Sequence, residues 1–500
     1  MREGPTIGFR ALLTWLIWVI AACALALGIW HLERERATVT HEKLKTEAGE
    51  VTIYRADATG ATDGPLVIVA HGFAGSRQMM QYISRDLARA GFVVAAYDFY
   101  GHGRDGRHLS PDVTRIEGTT QQLVNQTKAI VRAVQADLRT SGPIALVGHS
   151  MATDIVIRAA DELPAVAAIV AISMYSDAIT PTFPERLLVL SGAMEHRLRA
   201  VGREVVAQLD ATASEGETVR AGDVQRRTVS VPNTEHVAVL FSPVTIEETR
   251  AWIAGAFSRN ASDGAPRSGP AILVVLFAIV VLIWPVSRVF NGASKPPAPL
   301  SYKQFFFVLA APVVPAFLAT SLGGGSLLGT AAFGSLLVFF LIWGLVALCA
   351  LWWCGRRPEM PNLAAAAFLV FWALAIFGLA LDRYAAAFVP TGPRLPLTFC
   401  LLLGTLPFAL ADRLLVASAP LWQRGIARLL PIVILAACMI LNPENMGVSF
   451  TVLPVMVLFY TVYGTMARAV ARRTSPETAA LALGGILAWS VASSTPLFTG

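Results

Sequence analysis

The chain has 500 residues, of which 55% are hydrophobic and only 15% charged, a balance that excludes a wholly soluble multidomain protein and a disordered chain. Its formal charge is +6, but the basic residues of the C-terminal half fall in short loops between apolar runs and read as topology signals, which excludes a nucleic-acid partner. The five cysteines, Cys23, Cys349, Cys354, Cys400 and Cys438, lie in or beside apolar runs, so the polar part of the chain has neither a disulfide framework nor a thiolate metal site.

Residues 11–30 are apolar over the ~20 residues a helix needs to cross a bilayer. Ile20, Ala21, Ala22 and Cys23 have the form of a lipoprotein processing site, but the run continues to Trp30, as in an uncleaved anchor. A soluble module is then expected over residues 37–268, between an anchor at 1–36 and a multi-pass region of about eight helices at 269–500. Within the module the patterning predicts strands at 37–45, 51–56, 66–70, 92–97, 144–148, 166–173, 187–191 and 227–232. Helices are predicted at 78–90, 119–138, 151–163, 195–211 and 245–258. Unbroken apolar runs such as Leu66, Val67, Ile68, Val69 and Ala70 suit strands buried on both faces. They imply an α/β fold, a mostly parallel sheet covered by helices, with sites at the carboxyl ends of strands.

Three motifs sit at such strand ends. His71, Gly72, Phe73, Ala74, Gly75 and Ser76 follow the 66–70 strand, and their small residues let the backbone fold closely. Asp98, Phe99, Tyr100, Gly101, His102 and Gly103 end the next strand and are expected to brace the surrounding loops. Gly148, His149, Ser150, Met151 and Ala152 lie between a strand and a helix, where the first glycine permits a sharp turn that presents the serine. Ala152 stands where the pattern G-x-S-x-G has its second glycine and is still small enough for close packing.

The HGFAGS, DFYGHG and GHSMA segments, in this order and spacing, resemble the α/β-hydrolase superfamily, especially its esterase, lipase and serine-aminopeptidase-like members. The resemblance covers residues about 37–258. It implies Ser150 as nucleophile and a chain order of serine, acid and histidine, which places the general base at His236, after the last predicted strand. The acid is then Glu195, after the strand at 187–191, or Asp177, after the preceding one. The Gly192-x-x-Glu195 turn matches the family more closely. The N–H groups of Phe73 and Met151 are the expected oxyanion donors. The reaction implied is acyl transfer to water, without metal or organic cofactor. Only about 13 residues, 174–186, stand where many relatives insert a cap, so the site is expected to be open. An open site beside a membrane suits a small acyl-ester or lipid substrate, while peptide and thioester substrates stay possible from sequence.

Eight further apolar runs follow, at about 270–287, 304–322, 327–353, 363–381, 395–411, 429–441, 447–466 and 478–496. Arg2 and Arg10 precede the first span, and alternate later loops carry Arg288, Lys295 and Lys303, then Arg356 and Arg357, then Arg413, Arg424 and Arg428, then Arg468, Arg472 and Arg473. With nine spans this puts the N-terminus in the cytoplasm and the module on the outer side of the cell (inner) membrane, which in a bacterium is the periplasm. Gly323, Gly324 and Gly325 read as a tight turn. All eight histidines precede residue 240, which excludes a histidine-dependent site among the C-terminal spans. Two other readings stay open: a non-catalytic sensor or scaffold with a hydrolase-like domain, and a hydrolase coupled to a transporter-like bundle whose spans carry few ionisable groups.

Overall fold

The structure, a computed structural model, describes residues 9–56, 64–163, 165–260, 268–290, 292, 297–322 and 325–500. Arg2, Lys295, Gly323 and Gly324 lie outside these. The chain forms two compact units, one of Trp30–Ile272 with Arg383–Ala387, the other of Met1–Ile29, Leu273–Asp382 and Phe388–Gly500.

The first unit is built on nine strands: β1 (Val39–Thr46), β2 (Gly49–Ala56), β3 (Leu66–Ala70), β4 (Val93–Tyr97), β5 (Ile144–His149), β6 (Val166–Ile172), β7 (Arg186–Gly192), β8 (Thr218–Ala221) and β9 (Val224–Val231). They form one sheet in the order β1-β2-β4-β3-β5-β6-β7-β9-β8. Every pairing from β4 through β3, β5, β6 and β7 to β9 is parallel, and antiparallel pairs occur at the two ends. The fold is thus an α/β sheet with flanking helices. After the N-terminal helix α1 (Phe9–Arg36) come α2 (Gln81–Arg89), α3 (Gln121–Leu138), α4 (Met151–Glu162), α5 (His196–Ala207) and α6 (Pro243–Ala256). All five residues of β3 and of β4 are buried, as their unbroken apolar runs require. The register aligns Ala70 of β3 with Tyr97 of β4 and Gly148 of β5, so the three motif loops leave the sheet at one edge.

Strand β8 has no counterpart among the sequence-predicted strands. It is a four-residue edge ribbon with no buried residue, turned onto β9 at Gly222 (φ +59°), and so carries no apolar signal. Strand β9 begins three residues before its predicted start because Gln225, Arg226 and Arg227 read as polar, although Arg226 is fully buried.

The second unit is a bundle of long apolar helices, consistent with a membrane region. Among the described residues, eight helices are long and apolar enough to cross a membrane: Leu12–Arg36, Ser268–Val289, Tyr302–Ser321, Phe333–Trp353, Leu363–Tyr384, Arg394–Val416, Leu421–Leu441 and Val452–Ala471. The ninth expected span forms a helix, Pro476–Ser494, that is not among these eight. It is rich in small residues and mostly buried in the unit. Gly484 packs on Leu406 so closely that a Cβ there would lie 2.7 Å from its side chain, and the Gly484 carbonyl accepts from the Thr405 hydroxyl at 2.8 Å. Such close packing of small residues holds helices together where lipid offers no hydrophobic drive. The run expected at 429–441 extends back to Leu421, because Arg424 and Arg428 sit in its first turns.

Candidate active site

Strand β5 passes into α4 through Ser150, whose φ of +52° and ψ of −121° are unusual for a residue with a side chain. The turn is sharp because Gly148 lets the chain fold back: a Cβ there would lie 2.7 Å from the Ala152 carbonyl oxygen. Gly72 is equally constrained, since its Cβ would lie 2.9 Å from the Cβ of Ser150 and from His149 Nδ1. The loop after β3 therefore runs directly against the serine. The Ser150 N–H donates to the Ile172 carbonyl at 2.8 Å. Met151 opens α4, and the first N–H groups of a helix have no acceptor within it.

The loop after β9 brings His236 to the same place. Its Nε2 is 2.8 Å from Ser150 Oγ, and its Nδ1 is 2.5 Å from Glu195 Oε1. With Nδ1 protonated toward the carboxylate, Nε2 is free to accept the serine proton. The other Glu195 oxygen accepts from the Ser173 hydroxyl and from the Gly192 N–H, each at 2.7 Å. Burial by itself pushes the Glu195 carboxyl up, but the hydrogen bonds from His236, Ser173 and the Gly192 N–H outweigh it and hold the group below its usual range. The His236 side chain is 43% exposed, so the line of serine, imidazole and carboxylate opens to solvent.

His149 is buried behind this line, and its Nε2 donates to the His236 carbonyl at 2.9 Å. Burial, then the neighbouring His236, lowers its pKa to about 4, so it stays neutral and serves as a fixed donor. His71 is also buried: it accepts the Phe99 N–H at Nε2 (3.1 Å) and lies 2.7 Å from the Gly72 carbonyl through Nδ1. Asp98 accepts the Arg77 N–H at 2.8 Å and the Arg104 N–H at 3.1 Å, and pairs with the Arg77 guanidinium. Gly101 (φ +69°) and Gly103 (φ +51°) turn the chain around that carboxylate, and a Cβ on Gly103 would lie 2.4 Å from Asp98 Oδ1. Phe73 stands in the loop beside Gly72, with its ring 5.4 Å from that of His102.

The structure thus brings Ser150, His236 and Glu195 together. Asp177 points elsewhere: its side chain is 80% exposed and pairs with Arg158. Ser173 and the Gly192 N–H were not anticipated as partners of the carboxylate, since a serine at a strand end has no sequence signature. Among the described residues no group of three or more His, Cys, Asp or Glu side chains is arranged to hold a metal ion.

A profile of the serine aminopeptidase S33 family matches residues 63–213, the segment that holds all three motifs and Glu195. The sheet and its flanking helices have an α/β-hydrolase-like fold. The same chain also carries the distinct multi-helix apolar region described above. No curated protein matches this chain. Similar solved structures include TT1662 from Thermus thermophilus (15% identity, 44% of this chain and 99% of that one, TM-score 0.32). A dienelactone hydrolase from Anabaena variabilis is also similar (17%, 44% and 95%, TM-score 0.30). So is a membrane phospholipase A described as a bacterial virulence factor (15%, 50% and 96%, TM-score 0.32).

Proposed function

We propose that this protein is a membrane-anchored serine hydrolase that cleaves an acyl ester of lipid or envelope origin. The observation that carries the reading is the unbroken hydrogen-bonded line from Ser150 Oγ through His236 to Glu195, held on a strained turn. His236 Nε2 takes the Ser150 proton as Oγ bonds to the acyl carbon. The Met151 N–H and the Phe73 N–H hold the resulting oxyanion. His236 then returns its proton to the departing alkoxide as the carbon–oxygen bond breaks. Water repeats the sequence on the acyl-enzyme, with His236 again the base, and frees Ser150. Glu195 orients the imidazole and stabilises its protonated form.

Exposed, largely apolar side chains close in the chain to the site residues favour an acyl chain. Tyr175, Met194 and Val237 are all exposed, two residues from Ser173 and next to Glu195 and His236 respectively. A chain with an N-terminal apolar helix and a multi-helix apolar region keeps such a site close to lipid substrates. Membranes holding the wild type should be labelled covalently by a fluorophosphonate, and those holding Ser150→Ala should not. Absence of label on folded wild-type protein would sink the proposal and favour a non-catalytic domain.

A further inference from the structure

Positively charged loops orient membrane proteins, but orientation requires only that the charges stay on one side. In the helical unit, five arginines instead converge on a single cavity of about 250 Å³. Arg413 comes from the last turn of the Arg394–Val416 helix and Arg424 and Arg428 from the first turns of the Leu421–Leu441 helix. Arg468 and Arg472 come from the end of the Val452–Ala471 helix and the residue after it. Pro476, at the start of the Pro476–Ser494 helix, closes the lining.

The charge is poorly balanced within the protein. Asp412 reaches Arg428 only at 3.5 Å. Arg413 is 7% exposed, has Asp412 as its one neighbouring anion among the described residues against the three cations Arg428, Arg468 and Arg424, and its Nε has no hydrogen-bond partner. A buried guanidinium with an orphaned donor is costly unless an anion meets it. The helix terminus at Arg413 offsets part of this cost through its dipole, but not the repulsion among five cations. The neighbours are held in place: Arg424 Nε donates to the Ala419 carbonyl at 2.7 Å, Arg428 stacks over Tyr460 at 5.1 Å and Arg472 over Trp284 at 5.1 Å. Fixed guanidinium forks around a cavity with room for a phosphoryl group and several waters match the geometry of phosphate oxygens.

We propose that this cavity is an anion site for a phosphate group, borne by a phospholipid headgroup or free in solution. The purified full-length protein in neutral detergent would be titrated calorimetrically with dihexanoyl-phosphatidylglycerol, with its zwitterionic phosphatidylcholine analogue and with inorganic phosphate. The expected result is saturable binding of the anionic lipid or of phosphate, with little of the zwitterion. Binding of the lipid alone identifies a headgroup site. Binding of phosphate, in competition with the lipid, identifies a site for the phosphate group itself. In either case Arg413→Gln, and the double variant Arg424→Gln with Arg472→Gln at the cavity rim, should weaken binding about tenfold or more. The rim pair guards against a folding defect at the buried position. The proposal is overturned if the wild type binds neither probe saturably, if it binds the zwitterion equally well, or if the rim double variant binds as the wild type does.

Discussion

Ser150 combines two roles that substitution can separate. A residue with a side chain at φ +52° and ψ −121° stores on the order of 1–3 kcal/mol of backbone strain. Ser150→Gly relieves that strain whereas Ser150→Ala keeps it. Both variants should lose fluorophosphonate labelling, but the glycine variant should be more stable than the alanine variant by about 1 kcal/mol in thermal melts. Glu195→Gln keeps the shape of the acid while removing its charge, and should lower ester turnover by about 10³-fold or more with the fold intact. An unchanged rate would remove Glu195 from the proposed machinery and reopen the question for Asp177.

His149 gives a pH dependence of stability with a definite sign. Its pKa is about 4 in the folded protein against an ordinary value of 6.5. Above pH 6.5 neither state binds the proton, and the residue costs nothing. As the pH falls from 6.5 to 4, the unfolded chain takes up a proton that the folded one refuses, so stability declines by on the order of 3 kcal/mol. His149→Gln should therefore flatten the fall in melting temperature between pH 7 and pH 4.5. A fall as steep as that of the wild type would assign the acid lability to other groups.

At the scale of elements, the connection after β6 shows how a short loop can be made firm without a cap. The buried Arg226 of β9 reaches across to donate to the carbonyls of Thr180 (3.2 Å) and Pro184. Removing it leaves two carbonyls without that donor, at a cost of roughly 1–3 kcal/mol. Arg226→Met should thus lower the melting temperature and loosen the 174–186 connection, measurable as faster amide exchange there. The positions of the strands that carry the motifs were legible because β3, β4 and β5 are buried on both faces and write that burial as unbroken apolar runs. The edge strand β8 and the start of β9 were not, because an exposed ribbon and a buried arginine both contradict that code.

At the scale of the whole molecule, we propose from the alternation of basic loops that the α/β domain lies outside the cytoplasm. An Asp223→Cys reporter at the exposed turn between β8 and β9, in a background without the native cysteines, should react with an impermeant maleimide once the outer membrane is opened. Labelling only after the inner membrane is lysed would invert the orientation.

The sequence by itself determined the α/β class, the run of long apolar helices and the residues from which a serine, a base and an acid could be drawn. These follow from local patterning: strand burial, the glycines a sharp turn demands and the length of apolar segments. Tertiary structure alone decided that Glu195, not Asp177, meets His236, that Ser173 and the Gly192 N–H hold the carboxylate, and that five arginines from separate helix ends share one cavity. Those are contacts between residues far apart in the chain, and no local pattern encodes a distance across a fold.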